Sequence, residues 1–207
     1  MGSAEIEALK VSVKYTSDDW NALSKDNSDD WIKAANIVSD RLHGRYLSYS
    51  TECLKSPHSG FVVLSIDCLI METIQQFREG IIENQGRGRS QELISSFLSG
   101  QYFQPEFNPI AIDSFFKDIR CGLLHQAEAR NKWLIRRKQD SILREFPGGD
   151  GYIIDIEIFH EALCNTFEEY LNDIVVKENF GLRDNLWKKM NDISNVRAQR
   201  GAVFGQI

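Results

Sequence analysis

The most continuous apolar segment of the chain covers residues 61 to 79 and predicts a buried central helix. Large apolar side chains fill ten of its positions: Phe61, Val62, Val63, Leu64, Ile66, Leu69, Ile70, Met71, Ile74 and Phe77. So few polar positions remain that the helix has no broad solvent-facing side, which is typical of a core helix. Four of its polar side chains follow one line at spacings of three and four residues: Ser65, Cys68, Glu72 and Gln76.

The three-to-four-residue period of an amphipathic helix recurs in five other segments. They cover residues 29–46, 90–98, 112–128, 159–174 and 182–193. The first of them follows Asn27 and Ser28, residues that favour a helix N-cap. The chain is therefore predicted to be mainly α, as one helical domain over residues 1–207.

Alternating and β-prone runs predict a small sheet beside the helices. Residues 8–15 alternate apolar and polar side chains, which predicts an N-terminal strand. A Pro-Gly-Gly-Asp-Gly turn at 147–151 separates two β-prone runs and predicts an antiparallel hairpin over residues 141–158. Residues 133–135 and the N-terminal strand are candidates to extend this hairpin into a small sheet. Residues 197–207 carry little pattern and are expected to form a tail.

Composition and charge limit the classes of function. The chain has 207 residues, 42% hydrophobic and 26% charged, which suits one globular domain with a substantial core. Its net charge of −6 argues against a broad non-specific nucleic-acid surface, because phosphate binding needs concentrated positive charge. Any RNA site must therefore be a local basic cleft.

The four cysteines predict no disulfide and no metal site. Cys53, Cys68, Cys121 and Cys164 are widely spaced in apolar helical patterns and form no Cys-x-x-Cys pair, which favours buried thiols in a reducing cytoplasm. The sequence also shows no signal peptide and no phosphate-cradling glycine motif. We therefore expect a cytoplasmic protein with no membrane span, no metal and no cofactor.

Candidate chemistry is concentrated in the segment 112–128. One apolar stripe is predicted to face the core: Ile112, Phe115, Phe116, Ile119, Leu123 and Ala127. The other side carries Arg120, Cys121 and His125. On an ideal helix Arg120 and His125 lie about 140° apart, so a distorted turn, the long Arg side chain or a partner surface must bring them together. Gly122 between them favours a bend or the close approach of another backbone.

The run Arg120-Cys121-Gly122-Leu123-Leu124-His125 resembles the Arg-x4-6-His signature of the HEPN superfamily. The extended run through Gln126-Ala127-Glu128 resembles uncharacterised bacterial members, and with the flanking helices the resemblance covers roughly residues 30 to 180. It implies a HEPN-like helical bundle that often dimerises across the signature helix and, in active members, cleaves RNA without a metal. This sequence departs from the commonest pattern in having Cys121 after the Arg, where active members often have Asn, Asp or His.

The resemblance implies a different chemical role for each of the two signature residues, Arg120 and His125. A histidine titrates near neutral pH and can exchange a proton with an RNA 2′-hydroxyl or a leaving oxygen, whereas arginine stays charged and can hold the phosphate. A buried carboxylate needs a partner, so we predict that Glu72 contacts Arg120. Whether this contact only fixes helix packing or also orients a catalytic group stays open at this point.

Other basic residues are possible RNA contacts, although a solvated role suits each of them as well. They are Arg41, Arg45, Arg87, Arg89, Arg136, Arg137 and Lys138. His160, at the start of a long helical pattern, is interpreted as a cap-region or surface residue.

Three hypotheses follow from the sequence. The first is a metal-independent endoribonuclease of HEPN type, acting as a homodimer that juxtaposes two pairs of Arg120 and His125. The second is a non-catalytic HEPN-like module that binds a protein, a nucleotide or RNA. The third is a helical protein in which the two residues only pack and form hydrogen bonds. The expected partners are a second copy of the chain, RNA and an antitoxin-like protein.

Overall fold

The computed structural model describes residues 9–82 and 88–204, and the side chains of all of these except 196–204. The α-helices are α1 (Ser17–Asn21), α2 (Ser28–Leu42), α3 (Ser48–Cys53), α4 (Gly60–Glu79), α5 (Arg89–Leu98), α6 (Pro109–Ser114), α7 (Cys121–Gln126), α8 (Ile156–Val175) and α9 (Phe180–Phe204). Two π-helical segments, His43–Leu47 and Phe115–Arg120, join α2 to α3 and α6 to α7. The strands are β1 (Trp133–Arg136), β2 (Leu143–Glu145) and β3 (Tyr152–Asp155). The predicted class, mainly α with a small sheet, is confirmed.

The chain divides into two compact units. Within the described residues, the first consists of 9–45, Phe77–Ile82 and 171–204, and the second consists of Tyr46–Gln76 and 88–170. The signature segment, residues 112–128, and the sheet both belong to the second unit.

Tryptophans form the centre of the first unit. The rings of Trp20 and Trp31 lie 4.8 and 5.3 Å from that of Trp187 on α9. The Arg183 guanidinium lies 4.8 Å from the Trp31 ring and donates a hydrogen bond of 2.8 Å to the carbonyl of Ile174. An arginine can be buried here because its planar face covers an aromatic ring while its N–H group is satisfied.

The prediction of an N-terminal strand over residues 8–15 is wrong for the described residues 9–15. They form a tight loop closed by one antiparallel bridge between Lys10 and Thr16. The backbone N–H groups of Val11 and Ser12 both donate to the carbonyl of Tyr15, at 3.0 and 3.1 Å. These local hydrogen bonds satisfy the backbone inside the loop, so the segment does not need a neighbouring strand.

An aromatic cluster forms the core of the second unit. Phe159 on α8 lies 5.4, 5.9 and 5.6 Å from the rings of Phe103, Phe107 and Phe115, and it stacks on Phe115 with an interplanar angle of 21°. Phe115 also lies 5.8 Å from Trp133 on β1. The start of the signature segment, the sheet and α8 therefore share one core.

The predicted hairpin is confirmed, and the sheet around it is mixed. β2 pairs with β3 antiparallel, while β1 pairs with β3 in parallel, so the strand order is β1-β3-β2. Because the hairpin occupies one edge of β3, the predicted extension over residues 133–135 takes the other edge. Sequence alternation alone did not predict its parallel direction.

β3 ends at Asp155, three residues before the predicted end of the hairpin. The Asp155 carboxylate accepts hydrogen bonds from the N–H groups of Glu157 and Ile158, at 2.8 and 3.0 Å. This is the geometry of a helix N-cap, which satisfies donors that the first turn leaves open. The cap therefore starts α8 where β-propensity alone would have continued the strand.

The helical patterns elsewhere predicted the buried faces correctly. On α5 the buried residues are Leu93, Ile94, Phe97 and Leu98, and on α8 they include Phe159, Leu163, Phe167, Tyr170, Leu171 and Ile174. The last helix is longer than its pattern, because α9 continues through Phe204 into the predicted tail over 197–207. Residues 205–207 of that tail lie outside the described part of the chain.

Among the described helices, α4 alone has the length and apolar composition that crossing a membrane requires. Half of its most apolar window is buried inside the fold. The core helix of a globular protein meets the same criterion, so this finding is weak evidence of a membrane span. α4 matches the helix predicted over residues 61–79, and its buried side chains include Val63, Leu64, Ile70, Met71 and Ile74. The prediction that almost none of this helix faces water is wrong, because Phe61, Val62 and Leu69 are 41%, 52% and 42% exposed.

Candidate functional site

The signature segment is a continuous helix with a π-helical turn in its middle. From Phe115 to Arg120 the turn is wider than an α-helix, and the N–H of Cys121 donates to the carbonyl of Phe116, five residues earlier. Such turns are rare and occur often at functional sites. Arg120 is the last residue of this turn, so the spacing of an ideal α-helix applies only from Cys121 onward.

The core-facing stripe of this segment is largely as predicted. Phe115, Ile119 and Leu123 are buried. Phe116 is half-buried, and the Arg120 guanidinium carbon lies 5.7 Å from the centre of its ring. The prediction that Ala127 also faces the core is wrong, because the helix ends at Gln126 and Ala127 is exposed in the left-handed conformation with φ 55°.

Gly122 is required because the chain turns back onto α7 after the helix ends. The N–H of Glu128 donates to the carbonyl of Gly122 at 3.3 Å, and a Cβ at residue 122 would collide with the carbonyl oxygen of Glu128. The close approach of another backbone was one of the two roles predicted for this glycine. It places the chain after His125 against the helix that carries Arg120.

Arg120 is held in a closed network with two other side chains. Its Nε donates to Oε1 of Glu72 at 2.8 Å, and one of its Nη atoms donates to Oγ of Ser90 at 3.3 Å. Ser90 in turn donates to Oε2 of Glu72 at 2.7 Å. The predicted contact between Glu72 and Arg120 is confirmed. Ser90, the first residue of the helical pattern over 90–98, closes the network.

The Arg120–Glu72 pair is largely shielded from water. The side chains are 18% and 10% exposed. Burial acts to lower the pKa of Arg120, but the hydrogen bond and charge of Glu72, with a smaller contribution from Cys121, outweigh it and raise the pKa. The guanidinium is therefore a permanent cation with a defined orientation, which suits it to hold a phosphate.

A second hydrogen-bond network attaches the signature segment to the sheet. Asp118 accepts hydrogen bonds from Ser114 Oγ at 2.9 Å and from Asn131 Nδ2 at 2.8 Å. Ser114 Oγ also accepts a hydrogen bond of 2.9 Å from the Trp133 indole on β1. Ser114 and Asp118 are four residues apart, a helical spacing that was present in the sequence but was not used in its interpretation.

His125 has surroundings different from those of Arg120. It is exposed, and within the described part of the chain its imidazole makes no hydrogen bond. Its neighbour Leu124 is 45% exposed, and Cys121 is half-buried beside Arg120. One copy of the chain therefore brings Arg120, Glu72 and Ser90 together and leaves His125 open to solvent.

Several of the other basic residues hold loops of the chain itself. In the first unit, Arg41 donates to the carbonyl of Val11 at 2.5 Å and Arg45 donates to that of Lys10 at 3.1 Å. In the second unit, Arg137 donates to the carbonyl of Leu54 at 2.5 Å. These contacts provide a structural reason for an arginine at each position.

The remaining basic candidates have simpler surroundings. Arg89 pairs with Glu92 at 2.7 Å in the first turn of α5. Arg136, the last residue of β1, and Lys138 are both exposed. Arg87 lies outside the described residues.

The interpretation of His160 as a cap or surface residue is wrong. His160 on α8 is only 3% exposed, and its Nδ1 lies 2.9 Å from Oδ1 of Asp67, which is fully buried on α4. Its Nε2 lies 2.9 Å from Oγ1 of Thr51 and 3.6 Å from Sγ of Cys164. The available signals were the four-residue spacing of His160 and Cys164 and an aspartate inside the apolar run. These signals did not show that His160 contacts Asp67 and Thr51, because the residues of the cluster lie on three separate helices, α3, α4 and α8.

The Asp67–His160 pair makes the stability of the protein depend on pH. Burial acts to lower the pKa of His160, but the hydrogen bonds and charges of Asp67 and Cys164 together outweigh it and raise the pKa from 6.5 to about 10. The pair therefore stabilises the fold fully below pH 6.5, and this contribution falls by about 1.4 kcal/mol per pH unit as the pH rises toward 10. Urea denaturation of the parent and of His160→Gln across this range should show their difference in unfolding free energy shrinking. A constant difference would contradict the assignment of the charge to His160.

Among the described residues, no group of three or more His, Cys, Asp or Glu side chains is arranged to hold a metal ion. Comparisons with protein-family models, curated proteins and solved structures find no match to this chain. The resemblance to the HEPN superfamily therefore rests on the signature residues and their context in the chain.

Proposed function

We propose that this chain is a HEPN-type metal-independent endoribonuclease that acts as a homodimer, with Arg120 and His125 at its active site. The observation that supports the proposal best is the Arg120 guanidinium, which Glu72 and Ser90 hold in place five residues before an exposed histidine. Cellular RNA is the substrate class, and a cytoplasmic location and an antitoxin-like protein partner belong to the same proposal.

The two side chains have complementary roles in phosphodiester cleavage. The His125 imidazole takes the proton of the 2′-hydroxyl or donates one to the leaving 5′-oxygen. Arg120 binds the non-bridging phosphate oxygens and stabilises the charge that develops on them. Glu72 and Ser90 use two of the five N–H donors of the guanidinium and Cys121 also lies beside it, so at least two donors remain for the phosphate.

A second copy of the chain completes this site. Within one copy, the partly buried Arg120 and the exposed His125 have different surroundings. Leu124 beside His125 is 45% exposed, and Leu69, three residues before Glu72 on α4, is 42% exposed. A twofold contact across the signature segments would cover apolar surface of this kind and place two copies of the pair at one groove.

Cleavage of mixed RNAs in excess chelator tests the function. The parent should cleave RNA, and Arg120→Ala and His125→Ala should each lower the rate by about 100-fold or more, because each removes a group that acts in the transition state. Glu72→Gln should lower kcat by about 10-fold, since it weakens the orientation of Arg120 without removing it. Two exposed residues of the same types give matched controls, and His58→Ala and Arg144→Ala should retain the parent rate.

Equal inactivity of the parent and all variants would overturn the enzyme proposal. RNA binding without cleavage in that case would favour the second candidate, a non-catalytic binding module. Mixing Arg120→Ala with His125→Ala tests the dimer, because mixed dimers that pair the two residues across copies regain about a quarter of the parent rate. No regain would mean that each copy supplies its own pair.

A further inference from the structure

The cluster of Asp67, His160, Cys164 and Thr51 extends from the core of the second unit to its surface. Asp67 is fully buried and His160 is 3% exposed, whereas Cys164 is half-buried and Thr51 is exposed. The carboxylate therefore lies at the inner end and the thiol at the outer end, with the imidazole between them. Cys164 and Thr51 are therefore the members of the cluster that reach the surface.

The hydrogen bonds of the cluster determine where its protons lie. Asp67 Oδ1 faces Nδ1 of His160, so that nitrogen is the donor. The Thr51 hydroxyl donates to the carbonyl of Leu47 at 2.8 Å, so toward Nε2 its oxygen acts as the acceptor and the ring donates again. An imidazole that donates from both nitrogens carries a positive charge. Asp67 supplies the counter-charge, and its second oxygen has no hydrogen-bond partner among the described residues.

The sulfur of Cys164 lies 3.6 Å from the same Nε2. A thiol beside an imidazolium is an environment in which cysteine acts as a nucleophile, because the positive charge stabilises the thiolate and the ring can supply a proton to a leaving group. This arrangement of nucleophile, acid and buried carboxylate is independent of the signature segment.

The position of Cys164 within α8 restricts the chemistry. Acyl transfer needs N–H donors aimed at a developing oxyanion, but the backbone N–H groups around a mid-helix residue are used within the helix. A metal role is not supported, since no group of ligands suited to a metal exists among the described residues. The remaining class is a reaction that needs only a nucleophilic sulfur and one proton donor.

We propose that Cys164 is a hydroperoxide-reactive cysteine, with His160 as its proton donor and Asp67 as the residue that holds His160 in place. The Cys164 thiolate attacks the terminal oxygen of a hydroperoxide, so an S–O bond forms and the O–O bond breaks. The sulfur loses two electrons and becomes a sulfenic acid. The leaving oxygen takes the proton of His160 Nε2 and departs as an alcohol, or as water from hydrogen peroxide, which leaves the imidazole neutral.

The other cysteines have different surroundings. Cys68 is fully buried, and burial raises its pKa well above the ordinary value, so it is shielded from oxidants. Cys121 lies beside Arg120 in the signature segment. Cys53 is half-buried like Cys164, but it has no imidazole partner within the described residues, which makes it the matched internal control.

Peptide mapping of the full chain tests the proposal. The parent is treated with limiting hydrogen peroxide and a reagent that traps sulfenic acids, and the labelled peptides are quantified by mass spectrometry. Cys164 should be labelled at least about 10-fold faster than Cys53 in the same molecule. Equal labelling of the two residues in the parent would overturn the proposal without any variant.

A variant then tests the role of His160. His160→Gln should slow the labelling of Cys164 to the rate of Cys53 while its circular dichroism stays that of a folded chain. Folded His160→Gln that is labelled at Cys164 as fast as the parent would overturn the assignment of the proton donor. If His160→Gln does not fold, Thr51→Ala provides the second test: it leaves the imidazole and sulfur in place, so Cys164 should still be labelled faster than Cys53, and loss of that difference would overturn the proposal.

Discussion

Replacing Asp67 with alanine should lower the free energy of unfolding by about 3 to 5 kcal/mol, because it leaves the buried His160 imidazolium without its counter-charge. Asp67 is fully buried and its partner is 3% exposed, so water cannot replace the lost carboxylate. The effect should be measured by urea denaturation at pH 7, where the pair is intact in the parent.

Two comparisons isolate the contribution of charge. The double variant Asp67→Ala/His160→Ala should lose less than the sum of its single variants, because removing both partners leaves no unpaired charge. Glu52→Ala is a control from an exposed pair with Lys55, and it should change the unfolding free energy by no more than about 0.5 kcal/mol. A loss of less than about 1 kcal/mol in Asp67→Ala would show that His160 is neutral in the folded chain.

Phe159→Ala should also lower the free energy of unfolding by about 3 to 5 kcal/mol, because it removes the ring at the centre of the aromatic cluster. Phe103, Phe107 and Phe115 each lose their contact with this ring. Since Phe115 begins the π-helical turn that ends at Arg120, the loss should also increase amide hydrogen exchange in residues 115–126.

Two further variants distinguish the effect of the cavity that Phe159→Ala leaves in the core from the effect of removing any phenylalanine side chain. Phe159→Leu leaves most of the side-chain volume and should be clearly less destabilising than Phe159→Ala. Phe180→Ala removes a ring that is 78% exposed and should change the unfolding free energy by less than about 0.5 kcal/mol. Equal rates of amide hydrogen exchange in residues 115–126 of the parent and of Phe159→Ala would contradict the claim that the aromatic cluster stabilises the signature segment.

The Glu72–Arg120 contact could be predicted from the sequence alone. A carboxylate within an apolar helix must find a partner, and an arginine on another helix with a mixed polar face is a suitable one. This argument needs only burial and charge, both of which the pattern indicates. The sequence did not predict Ser90 as the third member of the network. A neutral hydroxyl at the start of a predicted helix does not need a charged partner as a buried carboxylate does.

The strand predicted for the N-terminal segment does not form in its described part, residues 9–15. Alternating side chains in residues 8–15 are compatible with a strand, but a strand needs a neighbour with unpaired backbone groups. In the described part of this segment, local hydrogen bonds to Tyr15 satisfy the backbone instead. Alternation indicates which side chains can share a face, and it does not show that a second strand is available.

The sequence by itself determined the periods of the helices, the buried faces of α5 and α8, the hairpin at the Pro-Gly-Gly-Asp-Gly turn and the need for a partner of Glu72. These features depend on neighbours within a few residues or on the cost of burying a charge. Only the tertiary structure decided the parallel pairing of β1, the π-helical turn before Arg120 and the burial of His160 against Asp67. Asp67 and His160 are 93 residues apart in the chain, and no local pattern determines which of many distant side chains will meet.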